Sequence, residues 1–70
     1  MEPEHGTVKW YDEEKGYGFI TPDSGHQDLF FHRSDLNTLE KTIDKGERVE
    51  YEIGTGPKGK QAKNVRPLGA

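Results

Sequence analysis

The stretch KGYGFI, residues 15–20, sets two aromatic side chains at alternate positions of a short β-like run. Side chains alternate across a strand, so Tyr17 and Phe19 share one face while Ile20 lies on the other. A small β-barrel has one interior, and the aliphatic Ile20 is the natural residue to fill it. The stretch therefore predicts a strand whose outer face carries two exposed aromatic rings.

The run LFFH, residues 29–32, obeys the same alternation. Leu29 and Phe31 fall on one face and suit the interior, which places Phe30 and His32 on the outer face. If the two runs are neighbouring strands, these outer side chains adjoin the two rings of the preceding run. The sequence then predicts one contiguous exposed patch.

Trp10 lies in a third β-rich run, GTVKWY, residues 6–11. Simple alternation puts it on the same face as Val8, an interior candidate, so a β-bulge or a strong local twist is needed to turn it outward. We expect such an irregularity. The side chains that we call the aromatic patch are then Trp10, Tyr17, Phe19, Phe30 and His32.

Glycine and proline punctuation divides the chain into five short β-rich runs. The runs are residues 6–11, 17–21, 28–32, 48–53 and 60–67. Five short strands with one longer connection predict an all-β fold, a small five-stranded antiparallel β-barrel. Its expected interior residues are Val8, Ile20, Leu29, Phe31, Val49, Tyr51, Ile53 and Val65.

The connection RSDLNTLEKTIDKGE, residues 33–47, has a different texture from the strands. Ser34 is suited to cap a short helical turn containing Leu36, directly after the third strand. The remainder predicts a long loop in which Leu36, Leu39 and Ile43 tuck inward.

Length and composition restrict the class of protein. The 70 residues suffice for one small domain, which we expect to span residues 1–70. The absence of cysteine excludes disulfides and thiolate metal sites. No apolar run approaches the ~20 residues that cross a bilayer, and the acidic N-terminus lacks the apolar region of a signal peptide. We therefore expect a soluble, cytoplasmic protein.

The formal net charge of −3, taken alone, argues mildly against a polyanionic partner. The local arrangement of charge matters more than the sum, because Lys9 and Lys15 stand beside the patch residues in sequence. Other cations that could share their face are Lys58, Lys60, Lys63 and Arg66.

Exposed aromatic rings on a small soluble domain need a cause. Every nucleobase has a π-face, and stacking on a ring is worth roughly 1–3 kcal/mol per base. Lys9 and Lys15 could neutralise phosphates, while Gly16 and Gly18 would leave the rings unshielded and let backbone approach closely. The pattern therefore indicates a stacking platform for unpaired bases.

The stretch GTVKWYDEEKGYGFITPDSGHQDLFFH, residues 6–32, resembles the first half of a cold-shock domain. KGYGFI and LFFH match the two ribonucleoprotein motifs of that family, and GPKGKQAKNV, residues 56–65, extends the resemblance to the chain's end. The resemblance implies an OB-fold barrel that binds single-stranded RNA and DNA with modest sequence preference. It further implies an RNA-chaperone role, with effects on transcription antitermination and translation in some members. We expect a monomer that has no cofactor and no membrane partner.

By position, the resemblance implies a nucleic-acid surface that also includes Tyr11, Asp12 and Asp28. We expect Asp28 to brace a turn or an amide donor and Tyr11 to be half-buried. The residues predicted to bind nucleic acid are Lys9, Trp10, Lys15, Tyr17, Phe19, Phe30, His32, Arg33 and Lys58.

This chain departs from the family pattern at several positions. Arg33 stands where many members have phenylalanine, and its guanidinium plane could still stack on a base. Asp12 replaces a frequent asparagine. Pro22 takes the aromatic eighth position of the generic ribonucleoprotein motif, which is tolerated in cold-shock versions. A phenylalanine often present in the long loop is replaced by Glu40 or its neighbour. Weaker binding or a shorter footprint is the expected consequence.

Other interpretations of these residues stay open. The aromatic residues could be core, the lysines could be ordinary solvated side chains, and a barrel with an aromatic groove could bind a proline-rich peptide. An enzyme is not expected, because Ser24, His26 and Asp28 alternate along one stretch and do not converge. The three histidines lack metal-ligand spacing.

Overall fold

A computed structural model describes residues 3–57 and 59–68. The chain forms five strands: β1 (Glu4–Asp12), β2 (Tyr17–Pro22), β3 (Leu29–His32), β4 (Arg48–Gly56) and β5 (Gly59–Pro67). They close into a barrel in the order β1-β2-β3-β5-β4. The predicted all-β, five-stranded barrel is confirmed. Strand pairs are antiparallel except between β3 and β5, where the barrel closes through a parallel pair.

Inward-facing side chains from all five strands fill the barrel. Seven of the eight predicted interior residues are buried, and Ala62 of β5 joins them with Leu36 and Ile43 of the long loop. Fully burying a large aliphatic or aromatic side chain contributes roughly 1.5–3 kcal/mol, so these few residues supply most of the driving force for folding. The seven are Val8, Ile20, Leu29, Phe31, Val49, Tyr51 and Val65.

The prediction for Ile53 was wrong, because its side chain is 41% exposed. The pairing of β4 with β5 shifts register between Glu50 and Glu52. Such an irregularity interrupts strict alternation, so the face of Tyr51 does not continue to Ile53.

Leu39 was also misplaced, since its side chain is fully exposed. It lies in a tight turn that ends at Lys41, a residue with φ of 55°. The Lys41 amide donates to Thr38 Oγ1 (3.0 Å) and its ammonium donates to the Leu36 carbonyl (2.8 Å). These local bonds, which periodicity does not reveal, determine the course of the loop.

The predicted helical turn exists as a 3-10 turn, Arg33–Asp35, but its cap is His32 and not Ser34. His32 is the last residue of β3, so its side chain adjoins the first amides of the turn, and Leu36 ends the turn. Among the residues described, this three-residue turn is the whole helical content, and no helix there is long and apolar enough to cross a membrane.

Candidate nucleic-acid interface

Strand register brings the aromatic patch together. Phe19 lies opposite Phe30 and Tyr17 opposite His32 across β2 and β3, while Trp10 of β1 lies opposite Phe19. The ring centroids of Trp10 are 5.5 Å from Tyr17 and 5.3 Å from Phe19. Phe30 completes the cluster at 5.7 Å from Tyr17 and 5.9 Å from Phe19. The four rings therefore form one continuous surface.

The irregularity expected at Trp10 is present. The pairing of β1 with β2 shifts register between Val8 and Trp10, so Val8 is buried while Trp10 is 36% exposed. Tyr17, Phe19 and Phe30 are half-buried, because each ring packs partly against its neighbours. Core packing is thus not the role of these rings.

Gly18 sits beneath the patch, on the inner face of β2. A Cβ atom there would lie 2.3 Å from the Trp10 carbonyl oxygen, 2.9 Å from Tyr11 Cα and 3.0 Å from Phe31 Cζ. The predicted close backbone approach is confirmed at this position. Because Gly18 faces inward, it does not serve to unshield the rings.

The β1–β2 turn presents Lys15 at the edge of the patch. The Lys15 amide donates to Asp12 Oδ1 (3.0 Å), and the Gly16 amide donates to the Asp12 carbonyl (2.7 Å). Gly16 has a φ of 77°, which favours glycine. Asp12 therefore organises the turn from which Lys15 projects.

Arg33 is fastened to the same turn. Its Nε donates to the Tyr11 hydroxyl (3.3 Å) and its Nη2 donates to the Glu13 carbonyl. Thr42 of the long loop donates to Glu13 Oε1 (2.5 Å), so the β1–β2 turn is also attached to the long loop. Tyr11 is half-buried, as predicted, and stacks on Phe31 with centroids 5.6 Å apart. The guanidinium is thus engaged in holding these segments, and base stacking by Arg33 stays a prediction.

His32 is oriented by the 3-10 turn that it caps. Its Nδ1 accepts the Ser34 amide (3.1 Å), which puts the proton of the neutral ring on Nε2. The His32 amide donates to the Asp35 carboxylate (2.9 Å). These two hydrogen bonds fix the ring and the backbone of His32 and leave Nε2–H as a donor for a ligand.

Asp35 and Gln61 support the patch from inside, and sequence reasoning missed both. Asp35 is 7% exposed and accepts Gln61 Nε2 (2.6 Å) while pairing with Lys63 Nζ (3.2 Å). An aspartate three residues after a strand-ending cap is a capping-box spacing, which was the available signal for Asp35. Gln61 carried no comparable signal, since its partner is 26 residues away.

Lys9 lies beside the patch, but its charge is already paired. Its Nζ is 2.8 Å from Asp28 Oδ2, with the lysine side chain 57% exposed. This hydrogen bond lowers the pKa of Asp28 below its usual value, against the opposing effect of burial. A phosphate must therefore compete with this carboxylate for Lys9.

The remaining predicted cations are dispersed. Lys58 lies outside the residues that the structure describes. Lys63 is held by Asp35, and Arg66 pairs with Glu50 (2.6 Å). Lys60 pairs with no carboxylate in the described part of the chain.

A second surface, which we call the charged cluster, comprises His5, Asp23, Arg48, Glu50 and Arg66. Arg48 forks onto both oxygens of Asp23, each at 2.6 Å. These bonds lower the pKa of Asp23 more than burial raises it. Glu50 accepts Arg66 on one oxygen and lies 3.3 Å from His5 Nε2 with the other. The cluster satisfies its charges internally.

Known proteins resemble this chain over nearly its whole length. The family described as the 'Cold-shock' DNA-binding domain matches residues 4–68. A cold shock-like protein CspA of Stigmatella aurantiaca is 50% identical over 64 residues, covering 90% of this chain and 94% of the relative. A cold shock-like protein CspE of Escherichia coli K12 is 52% identical over 64 residues, covering 90% and 93% respectively.

A solved structure gives the same picture. Drosophila Unr CSD456 matches with a TM-score of 0.79 and 27% sequence identity. The match covers 96% of this chain and 27% of that longer one. The structural match therefore agrees with the family match on the barrel fold.

Proposed function

The chain belongs to the family of 'Cold-shock' DNA-binding domains, and from that premise we propose that it binds single-stranded RNA and DNA with low sequence specificity. The observation that carries the proposal is the continuous cluster of Trp10, Tyr17, Phe19 and Phe30 on one side of the barrel. Stacking on such rings tolerates any base, because every base has a π-face. Paired bases are hidden in a duplex, so single strands are preferred.

Cations around the rings supply the second part of the proposed interface. Lys9 and Lys15 neutralise phosphates, and His32 donates from Nε2 to a base or to the backbone. Lys58 and Arg33 complete the proposed set. Since each neutralised phosphate releases counterions, affinity falls steeply with salt. The net charge of −3 is a sum over the whole chain, and part of the negative charge is paired with cations away from the rings, as at Asp23 and Glu50.

Stacking unpaired bases on a protein surface keeps them from pairing with one another. We accordingly propose an RNA-chaperone role for the chain, through which it affects transcription antitermination and translation. In this role the protein acts by binding alone, as a cytoplasmic monomer without catalysis and without a cofactor.

Two substitutions test the stacking proposal. Phe19→Ala and Phe30→Ala each remove one ring and are expected to cost roughly 1–3 kcal/mol of binding to a short oligothymidine, measured by titration calorimetry. Arg48→Ala, in the charged cluster, is the matched control and should leave affinity unchanged. Circular dichroism is the check that each variant is folded. Wild-type affinity in both folded phenylalanine variants would contradict stacking.

A further inference from the structure

A cavity of about 690 Å³ opens beside the aromatic patch. Its apolar wall includes Phe19, Phe30, Tyr51 and Ile53. Its charged lining consists of Lys60 and the carboxylates of Glu4 and Asp28. Sites for small ligands typically measure about 300–1,000 Å³ and combine apolar walls with a few polar groups. The cavity therefore has the size and the lining of a binding site.

The cavity and the aromatic patch share two walls. Phe19 and Phe30 are members of both, and their ring centroids are 5.9 Å apart. A single-stranded nucleic acid whose bases stack on these two rings therefore reaches the mouth of the cavity directly. Ile53 adds to the apolar surface of the cavity, because its side chain is 41% exposed. Val49 and Tyr51 of the same strand are fully buried.

Two polar groups of the cavity have no partner among the residues that the structure describes. The Lys60 ammonium pairs with no carboxylate in the described part of the chain, so it is available to a phosphate. The Tyr51 hydroxyl is buried and forms no hydrogen bond with the described residues. Burial, with the charges of Glu4 and Asp23, raises the pKa of Tyr51, so this hydroxyl is a donor. A buried donor without an acceptor is costly, and an occupant with a carbonyl edge would relieve that cost.

We infer that this cavity is a subsite for one further nucleobase of the strand bound on the aromatic patch. Ile53 forms its apolar wall and Lys60 holds the adjoining phosphate. The Tyr51 hydroxyl favours a base with a carbonyl oxygen at its edge, as thymine and uracil have. The inference rests on the proposed single-strand binding.

The wall is tested by the variant Ile53→Glu, which places a carboxylate in the cavity. Thr55→Glu is the matched control, because Thr55 is exposed on the same strand and does not line the cavity. Affinities are measured for oligothymidines of increasing length. Ile53→Glu should lose roughly five- to 150-fold in affinity for long oligonucleotides, the worth of one stacked base. It should match wild type on the shortest oligonucleotide that saturates Trp10 quenching.

Three results would overturn the subsite. The first is an equal loss of affinity in Ile53→Glu and Thr55→Glu. The second is a loss in Ile53→Glu that is independent of oligonucleotide length. The third is no loss in Ile53→Glu on any oligonucleotide. None of them alters wild-type binding. Failure of the underlying function is a separate outcome, because then no oligonucleotide binds the wild-type protein.

The hydroxyl is tested by Tyr51→Phe, with the free energy of unfolding as an independent readout. The free protein should be at least as stable as wild type, since a donor without a partner is removed. Affinity for a long oligothymidine should fall roughly three- to tenfold, the worth of one hydrogen bond. An abasic site at one of the two ends of the oligonucleotide should erase that difference. Equal binding by both proteins on every oligonucleotide would overturn the role of Tyr51.

Discussion

The aromatic patch and the charged cluster lie on the same small barrel but use their side chains in opposite ways. In the charged cluster, Arg48 and Asp23 satisfy each other through two hydrogen bonds, and Glu50 contacts both Arg66 and the His5 ring. In the patch, the rings contact each other at 5.3–5.9 Å and present a half-buried apolar surface. A surface whose charges are already paired has little to offer a polyanion, whereas rings retain π-faces for bases.

The support beneath the two regions also differs. The patch rests on close backbone packing at Gly18 and on the buried carboxylate of Asp35, which fixes His32. Rings held in place before the ligand arrives lose little conformational entropy on binding. The charged cluster has no equivalent need, because its ion pairs are at the surface and contribute little to stability.

The largest effect is expected where the patch meets the backbone beneath it. Gly18→Ala forces a methyl group against the Trp10 carbonyl oxygen, at 2.3 Å, and should lower the free energy of unfolding by about 3 kcal/mol. Urea denaturation measures this loss. The control is Gly54→Ala, whose methyl would meet only the flexible Lys63 side chain, at 2.8 Å, and should cost less. Equal losses of unfolding free energy in the two variants would show that the close backbone contact at Gly18 does not determine the cost of the added methyl group.

The buried carboxylate of Asp35 should have the next largest effect. In Asp35→Asn, one oxygen becomes an amide group that faces the donors of Gln61 or Lys63, so we expect a loss of about 2 kcal/mol of unfolding free energy. Asp44→Asn, at an exposed position in the long loop, is the control. Unchanged stability in Asp35→Asn would contradict a supporting role for this network.

The aromatic side of the barrel contains an ion pair of its own, between Lys9 and Asp28. Breaking this pair should increase the difference in unpaired positive charge between the two regions. Asp28→Asn releases Lys9 for phosphate, so affinity for oligothymidine at low salt should rise roughly two- to fivefold, as expected from the small worth of a surface pair. The gain should shrink as salt is added. It should disappear in the double variant with Lys9→Ala. Weaker binding would instead mean that Asp28 itself contacts the ligand.

The charged cluster should show the smallest effect, confined to acid. Because the pKa of Asp23 is lowered in the folded protein, its pair with Arg48 stabilises the fold above about pH 4 and is lost as pH falls through that lowered value. Wild-type stability should therefore fall more steeply below about pH 4 than that of Asp23→Asn. Oligonucleotide affinity at neutral pH should be the same in both. If stability fell equally with pH in both proteins, the pair of Asp23 with Arg48 would contribute nothing measurable to stability.

The sequence alone was sufficient to predict which side chains form the aromatic patch, because the alternation of side chains along a strand is a local rule. Trp10 conflicted with that rule, and the conflict itself predicted the irregularity in β1 that the structure contains. Ile53 agreed with alternation, so nothing in the sequence signalled the register shift in β4 that exposes it. Leu39 was misplaced because turn hydrogen bonds at Lys41 override periodicity.

Contacts between distant segments were the other limit of sequence reasoning. The bond from Gln61 to Asp35 and the attachment of Arg33 to the β1–β2 turn join residues at least 20 positions apart. Composition and spacing do not encode such pairs. The partner of a charged side chain can be predicted only where a cap or a turn imposes a short spacing, as it does between His32 and Asp35.

The central claim is that unpaired bases stack on the aromatic patch, and the single tryptophan, Trp10, reports on it directly. The decisive measurement is the fluorescence of Trp10 during titration with a short oligothymidine at low and moderate salt, beside a duplex of the same length. We predict saturable quenching, an affinity that falls with salt, and poor binding of the duplex. A flat signal with no binding in a direct assay, or equal affinity for the duplex, would contradict stacking on this surface.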